Sequence, residues 1–360
     1  MESFSCQTRI VSGEGSLSYL QQLGAKRFLL VTDPFFVKNG MAQQVLRLSG
    51  AEETAVFDRV TPDPSVTLAA EGTELVRKFC PDTIAALGGG STMDCAKAMA
   101  FFATEPVHLV AIPTTAGSGS EVTDFAVLTH GNTKHPLVDP RLCPEVAILD
   151  SSLVAKLPKK LVADGGFDVL THALEALVSK NAGCISDALA KDAFRIAFGL
   201  LPAGYVGHQQ ARERIQQAAT MAGMAFSQAG LGLCHALSHS LGGAFHIPHG
   251  RLNGILLPAV VRCNAHMCAG KYAALARSVG LAGSADTVAV RNLSNALTRL
   301  RRDLEMPQTL KEAGIEPGKV RFMAKELTET TLADPCCKTN PLPVEDYMVR
   351  RILEEVAGND

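Results

Sequence analysis

The stretch GLGLCHALSHSLGGAFHIPHGRLNG, residues 230–254, crowds four of the chain's ten histidines into fifteen residues: His235, His239, His246 and His249. His235 and His239 stand four apart, the spacing that puts two side chains on one face of a helix. His249 lies between Pro248 and Gly250, which indicate a turn. Upstream, ADGGFDVLTHALEALVS repeats the four-residue spacing with Asp168 and His172. Neutral imidazoles with one carboxylate make a borderline-hard donor set. It suits Fe(II) or Zn(II) with a position open to substrate, and not calcium or magnesium, which take mostly oxygen. One Asp-x-x-x-His pair alone would equally be a solvated pair or a polar contact between helices. Four histidines plus Asp168 exceed a tetrahedral site, so at least one has another task.

A second kind of chemistry is written in glycine. In GGGSTMDCAK, residues 88–97, an apolar run meets Gly88, Gly89 and Gly90 and then a helical stretch. Glycines let the backbone turn sharply, and the helix N-terminus that follows offers N–H groups to an anion such as a phosphate. The pattern is not G-x-G-x-x-G, because Met93 occupies its third glycine, and no Gly-Lys-Ser/Thr follows. A tight turn with no ligand would use the same glycines. The loop PTTAGSGSE, residues 113–121, adds hydroxyls at Thr114, Thr115, Ser118 and Ser120 beside Gly117 and Gly119. Together the loops suit a pyrophosphate and a neighbouring ribose or nicotinamide. Asp33 ends another apolar run; a carboxylate there would accept from ribose hydroxyls and repel a 2′-phosphate, favouring NAD over NADP. It would serve equally as a turn former before Pro34.

These groups need elements to hold them. Short apolar runs beginning at Arg27, Asp82 and Val107 alternate with helical stretches, which predicts a parallel sheet with helices on both faces. All three polar endings then fall at the carboxyl ends of strands, where such folds bind ligands. From about Val162 the chain reads as helix after helix. SDALAKDAFRIAFGLLP would bury Leu189, Ala193, Ile196 and Leu200 with Ser186 or Asp187 as its cap, and ARERIQQAATMAGMAFSQAG would stop at Gly230. The expected organisation is a Rossmann-like α/β domain over residues 1–158 and an all-α domain over 159–360, with the site in the cleft between them. Length and composition agree: 360 residues, 47% hydrophobic, 19% charged and no tryptophan describe a globular chain with an aliphatic core. A formal charge of -2 offers no field for nucleic acid, and no apolar run approaches a membrane span. Without an apolar leader, the ten cysteines read as reduced thiols and the location as cytoplasmic.

Taken as whole motifs, the chain resembles the iron-containing (group III) alcohol dehydrogenases over nearly its full length. GGGSTMDCAK looks like that family's GGGSxxDxAK, IPTTAGSGSEVT like its PTTAGTGSE, and GGFDVLTHALEA and CHALSHSLGGAFHIPHG like its two metal signatures. Within the family, FSCQTRIVSGEGSL, TPDPS, AGMAFSQAGLGLCHA and HIPHG are most similar to propanol dehydrogenases of propanediol utilisation, with ethanolamine-utilisation alcohol dehydrogenases next. The resemblance implies the dehydroquinate synthase-like fold, NAD(H), and one Fe(II) held by Asp168, His172, His235 and His249, a set that also accepts Zn(II). It adds Ser91, Asp94 and Lys97 to the nucleotide loop. His239 matches a histidine near the nicotinamide, a proton-relay candidate. His246 has no family role and reads as packing or pocket lining, and Cys234 as packing. Arg251 and Leu342 depart from the pattern, where relatives carry a small or apolar residue and an arginine. The implied reaction interconverts short-chain alcohols and aldehydes. The implied assembly is a homodimer or larger, and a bacterial microcompartment with its shell or pathway enzymes is the implied setting.

Three alternatives follow from the same residues. A sugar-phosphate lyase of the dehydroquinate synthase type would need several Lys and Arg around an anionic substrate, and the histidine region is largely apolar. A metal-dependent hydrolase would explain the histidines and leave both glycine loops idle. A non-catalytic scaffold would not need the complete donor set.

Overall fold

The computed structural model describes residues 3–131 and 133–359, and the chain divides into two compact units between Leu157 and Pro158.

The first unit is built on a six-stranded parallel sheet. Its strands are β1 (Arg9–Ser12), β2 (Arg27–Thr32), β3 (Glu53–Phe57), β4 (Thr83–Gly88), β5 (His108–Pro113) and β8 (Val146–Leu149), in the order β1-β8-β5-β4-β2-β3. A separate antiparallel hairpin pairs β6 (Phe125–His130) with β7 (Thr133–Val138). β4 is buried at all six positions, as a strand covered on both faces must be. Alternate residues feed two cores: Leu29, Val31 and Ile84 pack on one face, and Phe28, Leu30 and Ala85 on the other. The chain first runs outward from β2 to β3, then returns to place β4 on the other side of β2. That reversal is the topological switch point at which open α/β sheets bind ligands. The order β5-β4-β2 sets the three polar strand endings side by side.

The second unit is helical. Lys159–Val178, called here the aspartate helix, is followed by helices Cys184–Tyr205 and Gln209–Ala229. Next come Leu233–Phe245, the two-histidine helix, and His249–Ser278, the long helix. Leu201 packs where a Cβ on Gly166 would lie only 2.2 Å from its Cδ1, so the aspartate helix needs glycine there. The Cys184–Tyr205 helix starts earlier than its sequence suggested. Gly183 is the N-cap, and Ser186, at the third helical position, accepts the Gly183 N–H at 2.9 Å. Its buried stripe is Ala190, Ala193, Phe194, Ile196, Ala197 and Leu201, so Ala193 and Ile196 lie inside as expected while Leu189 and Leu200 are half-buried. The Gln209–Ala229 helix stops at Gly230, whose φ of 80° suits a residue without a Cβ. Among the described residues, no helix is long and apolar enough to cross a membrane.

Candidate functional site

In the helical unit the donors converge. Ligand atoms of Asp168, His235 and His249 all lie within 4.8 Å of one another. Asp168 Oδ1 is the hub, with the Nε2 atoms of His249, His235 and His172 at 3.6, 4.0 and 4.0 Å. The His172 ring stacks between Phe226 and His235, with centroids at 4.3 and 4.6 Å. One helical turn separates Asp168 from His172, which explains why both face the same way. His249 joins them because Gly250 lets the long helix press on the aspartate helix: a Cβ there would lie 2.1 Å from the Asp164 carbonyl oxygen. The His235 side chain is 1% exposed and that of His249 is 32% exposed, so the cluster opens on the His249 side.

Three residues that sequence reasoning passed over organise this cluster. Glu175 lies seven positions after Asp168 on the aspartate helix and is fully enclosed. It accepts the Gly232 and Cys234 N–H groups at 2.9 and 2.6 Å and His235 Nδ1 at 2.6 Å. With Nδ1 carrying the proton, His235 Nε2 turns its lone pair toward Asp168. Burial, above all, pushes the Glu175 carboxyl up to about 7 against these hydrogen bonds. Burial likewise holds His235 well below the usual imidazole range, so it is neutral, as a ligand must be. Asn253, fully buried on the long helix, donates to Asp168 Oδ1 at 2.7 Å. The Ser238 hydroxyl, 2.5 Å from Asn253 Oδ1, fixes which way that amide points. Asp334 accepts from His239 Nδ1 at 2.8 Å. The spacing Asp168, His172, Glu175 is a helix-face signal that could have found the glutamate; Asn253 and Asp334 leave no comparable trace.

The remaining histidines and departures have places of their own. His239 stacks on His249, with centroids 5.3 Å apart, and its side chain is 25% exposed. His246 is not packed. It is exposed and ends the two-histidine helix in the left-handed region, at φ 53°, a conformation histidine adopts more readily than most residues. Cys234 is buried with its Sγ 3.7 Å from the Asn253 carbonyl oxygen, and burial pushes its thiol well up, away from the thiolate form that binds metals. Arg251 forks onto Asp164, with contacts of 2.8 and 3.3 Å. The Leu342 carbonyl accepts from Asn340.

In the sheet unit the two glycine loops meet. Gly89 caps the helix Gly90–Phe101 that springs from β4. A Cβ on Gly89 would lie 3.2 Å from Thr115, and one on Gly90 would lie 3.2 Å from Ser118. A Cβ on Gly88 would lie 2.2 Å from Thr92. A Cβ at Gly88 would thus overlap Thr92 outright, while at Gly89 or Gly90 it would press on Thr115 or Ser118, and the bare backbone leaves the helix N-terminus approachable. Thr114 N–H donates to the Gly88 carbonyl at 2.9 Å, joining the loops across β4 and β5. Gly117 is buried between Thr115 and Ser118 in chain order. Ser91 Oγ accepts the Asp63 N–H at 3.3 Å.

Three of the side chains expected beside the nucleotide also brace the scaffold. Lys97 is 1% exposed, and its ammonium donates to Thr123 O, Thr123 Oγ1 and Phe125 O at 2.8, 2.8 and 2.9 Å. All three ammonium protons are thus directed to protein oxygens, which fix this lysine beneath the loop. Asp94 accepts from Ser120 Oγ at 3.2 Å, fastening one loop to the other. The Asp33 carboxylate caps the helix Pro34–Lys38, accepting from Phe35 and Phe36 N–H groups at 2.8 and 3.4 Å. The turn-forming reading of Asp33 thus describes what it does in this structure.

Comparison with known proteins matches the same two parts of the chain. Residues 7–151 match the family model described as iron-containing alcohol dehydrogenase, and residues 162–357 match the C-terminal model of the Fe-containing alcohol dehydrogenase family. The 1-propanol dehydrogenase of Salmonella typhimurium is 38% identical, covering 99% of this chain and 100% of its own. An NADPH-dependent butanol dehydrogenase of Clostridium saccharobutylicum is 36% identical, covering 98% and 97%. The solved structure of a sulfoacetaldehyde reductase from Bifidobacterium kashiwanohense, in complex with NAD+, superposes with a TM-score of 0.90 at 29% identity, covering 100% of both chains.

Proposed function

Because the chain belongs to the iron-containing alcohol dehydrogenase family, we propose that it interconverts short-chain primary alcohols and aldehydes, of the propanol or ethanol type, with NAD(H) and one Fe(II). The observation that carries this is the gathering of Asp168, His235 and His249 within 4.8 Å, with His172 beside them. Three imidazoles and one carboxylate fit a divalent transition metal, and Zn(II) is the alternative occupant. When bound, the cation would polarise the substrate's oxygen and the nicotinamide would supply or take the hydride.

The chain's own side chains do the rest. Asp168 and the three imidazoles hold the cation, and Glu175 and Asn253 aim them. His239, with its proton on Nδ1 against Asp334, presents Nε2 as the atom that takes or returns the alcohol proton. Gly88, Gly89, Gly90, Ser91, Thr114, Thr115, Gly117 and Ser118 form the nucleotide loops, with Asp94 and Ser120 bracing them and Asp33 at the neighbouring strand end. Asp33 favours NAD, whereas the butanol dehydrogenase named above uses NADPH, so both nucleotides belong in the assay. The uncharged substrate is supported by Arg251, the nearest cation in the histidine segment, which is already paired with Asp164. A lyase acting on a sugar phosphate would need that charge free.

The likeness to propanol dehydrogenases extends the proposal to a homodimer or larger assembly. It acts in the cytoplasm or a microcompartment beside the enzymes of propanediol utilisation. Size-exclusion chromatography and co-purification with shell proteins test that part. The reaction itself is tested by anaerobic purification, elemental analysis and a short-chain aldehyde panel followed at the NADH absorbance. His249→Ala is expected to lose iron and turnover while NADH still binds. Unchanged iron in that variant sinks the ligand assignment.

A further inference from the structure

We infer that Asp334 is a positioning residue for the reaction: it fixes the ring orientation and tautomer of His239, so that Nε2 is the nitrogen free to exchange a proton. This rests on the relay reading of His239 above. Asp334 comes from the far end of the chain, 95 residues beyond its partner, and its two oxygens face different backbone and ring donors, with the Cys336 thiol as a further contact. Oδ2 accepts from His239 Nδ1 at 2.8 Å, and Oδ1 accepts from the Cys336 N–H at 2.8 Å.

The aspartate is itself held firmly. It ends the helix Ala324–Ala333, its N–H donating to the Thr331 carbonyl at 3.1 Å, and its carbonyl accepts from Cys337 N–H at 3.1 Å. The preceding helix is tied to the two-histidine helix through Ser240, whose hydroxyl meets Thr330 Oγ1 and the Leu327 carbonyl at 2.5 and 3.1 Å. The following segment is tied to the start of the two-histidine helix. Thr339 Oγ1 donates to the Leu231 carbonyl at 2.5 Å, and Asn340 Oδ1 accepts the Leu233 N–H at 3.1 Å. These bonds anchor Asp334 against the helix that carries His239. The dyad is partly enclosed, with side-chain exposures of 25% for His239 and 14% for Asp334. Burial would raise the Asp334 carboxyl, yet the His239 hydrogen bond, with the Cys336 contacts, brings it below the ordinary aspartate value. It is therefore an anion, and an anion facing Nδ1 requires a proton on that nitrogen.

Asp334→Asn separates positioning from bulk structure, because the amide has nearly the same shape. The Cys336 N–H claims its oxygen, which turns the NH2 group toward His239 Nδ1. That pairing selects the opposite tautomer, with the proton on Nε2. In the iron-loaded enzyme, Asp334→Asn is expected to lower kcat with aldehyde KM and iron content unchanged. The loss is bounded by the roughly 10²- to 10⁴-fold that a positioned acid–base group contributes. The double variant with His239→Ala should be no slower than His239→Ala alone, and Asp334→Glu should recover part of the rate. The inference is overturned if Asp334→Asn keeps full kcat while His239→Ala loses it, if the two losses multiply, or if Asp334→Asn sheds iron. If His239→Ala keeps full kcat, the relay reading itself fails and Asp334 has nothing to act through.

Discussion

Glu175 Oε2 lies 2.6 Å from His235 Nδ1, and the same carboxylate accepts the Gly232 and Cys234 N–H groups at the start of the helix carrying His235. One buried side chain thus sets both where that helix begins and which ring nitrogen faces Asp168. Glu175→Gln replaces one acceptor oxygen with a donor, and a buried N–H then loses its partner. The expected result is iron affinity weaker by about 10- to 100-fold, the usual effect of altering a residue behind a metal-ligating histidine. A destabilisation of roughly 1–3 kcal/mol should accompany it. Chelator competition and thermal denaturation read the two effects, and wild-type iron affinity in Glu175→Gln would deny the glutamate this role.

Asn253 makes a related prediction from the other side of the cluster. Its amide bridges Asp168, at 2.7 Å, and the Ser238 hydroxyl, at 2.5 Å. Asn253→Ala leaves the Asp168 carboxylate without its donor and free to rotate. Iron retained after gel filtration should fall, while NADH titration is unchanged. Asn253→Asp should be the worse of the two, since it sets a second carboxylate where the amide donates to Asp168. Equal iron retention in all three proteins would show that Asp168 is oriented by other means.

Much of this arrangement was legible in the sequence, for physical reasons. Buried parallel strands are continuous apolar runs, so β2, β4 and β5 and their polar endings could be read directly. The histidine and aspartate pairs could be read because helices bring residues four apart together. What stayed hidden was tertiary. Asp334 reaches His239 across 95 residues and Asn253 reaches Asp168 across 85, and no local periodicity encodes either pairing. Lys97 has a role that its phosphate-loop motif does not disclose: its ammonium protons are directed to three backbone and hydroxyl oxygens. His246 belongs to a histidine cluster in sequence and to a helix end in space.

The sheet unit offers a test by pH. Burial, outweighing Lys97, Ser120 and the Val127 backbone, lifts the Asp94 carboxyl from 3.8 to about 6. A carboxyl whose folded value exceeds its unfolded value contributes most to stability below the unfolded value, and that contribution fades as pH rises through the folded one. Asp94→Asn removes the titration and keeps an acceptor for Ser120. The melting temperature of Asp94→Asn relative to wild type should therefore rise between pH 4 and pH 7. A difference that is flat or falls over that range contradicts the assignment.

Gly250 decides whether the two ligand-bearing helices can meet at all. A Cβ at this position would lie 2.1 Å from the Asp164 carbonyl oxygen and 2.7 Å from its carbon. Both atoms are backbone, so no rotamer change relieves the overlap. Gly250→Ala must push the N-terminus of the long helix away from the aspartate helix, carrying His249 from Asp168, now 3.6 Å away. It must also stretch the Arg251–Asp164 pair, because both partners sit beside the clash. Overpacking of this kind costs about 1–3 kcal/mol. A lowered melting temperature is expected, with iron lost more completely than stability alone accounts for. Arg251→Ala is the control, since it removes the ion pair and leaves the helix spacing intact. If Gly250→Ala binds iron as tightly as Arg251→Ala does, close approach of these two backbones is not what builds the centre.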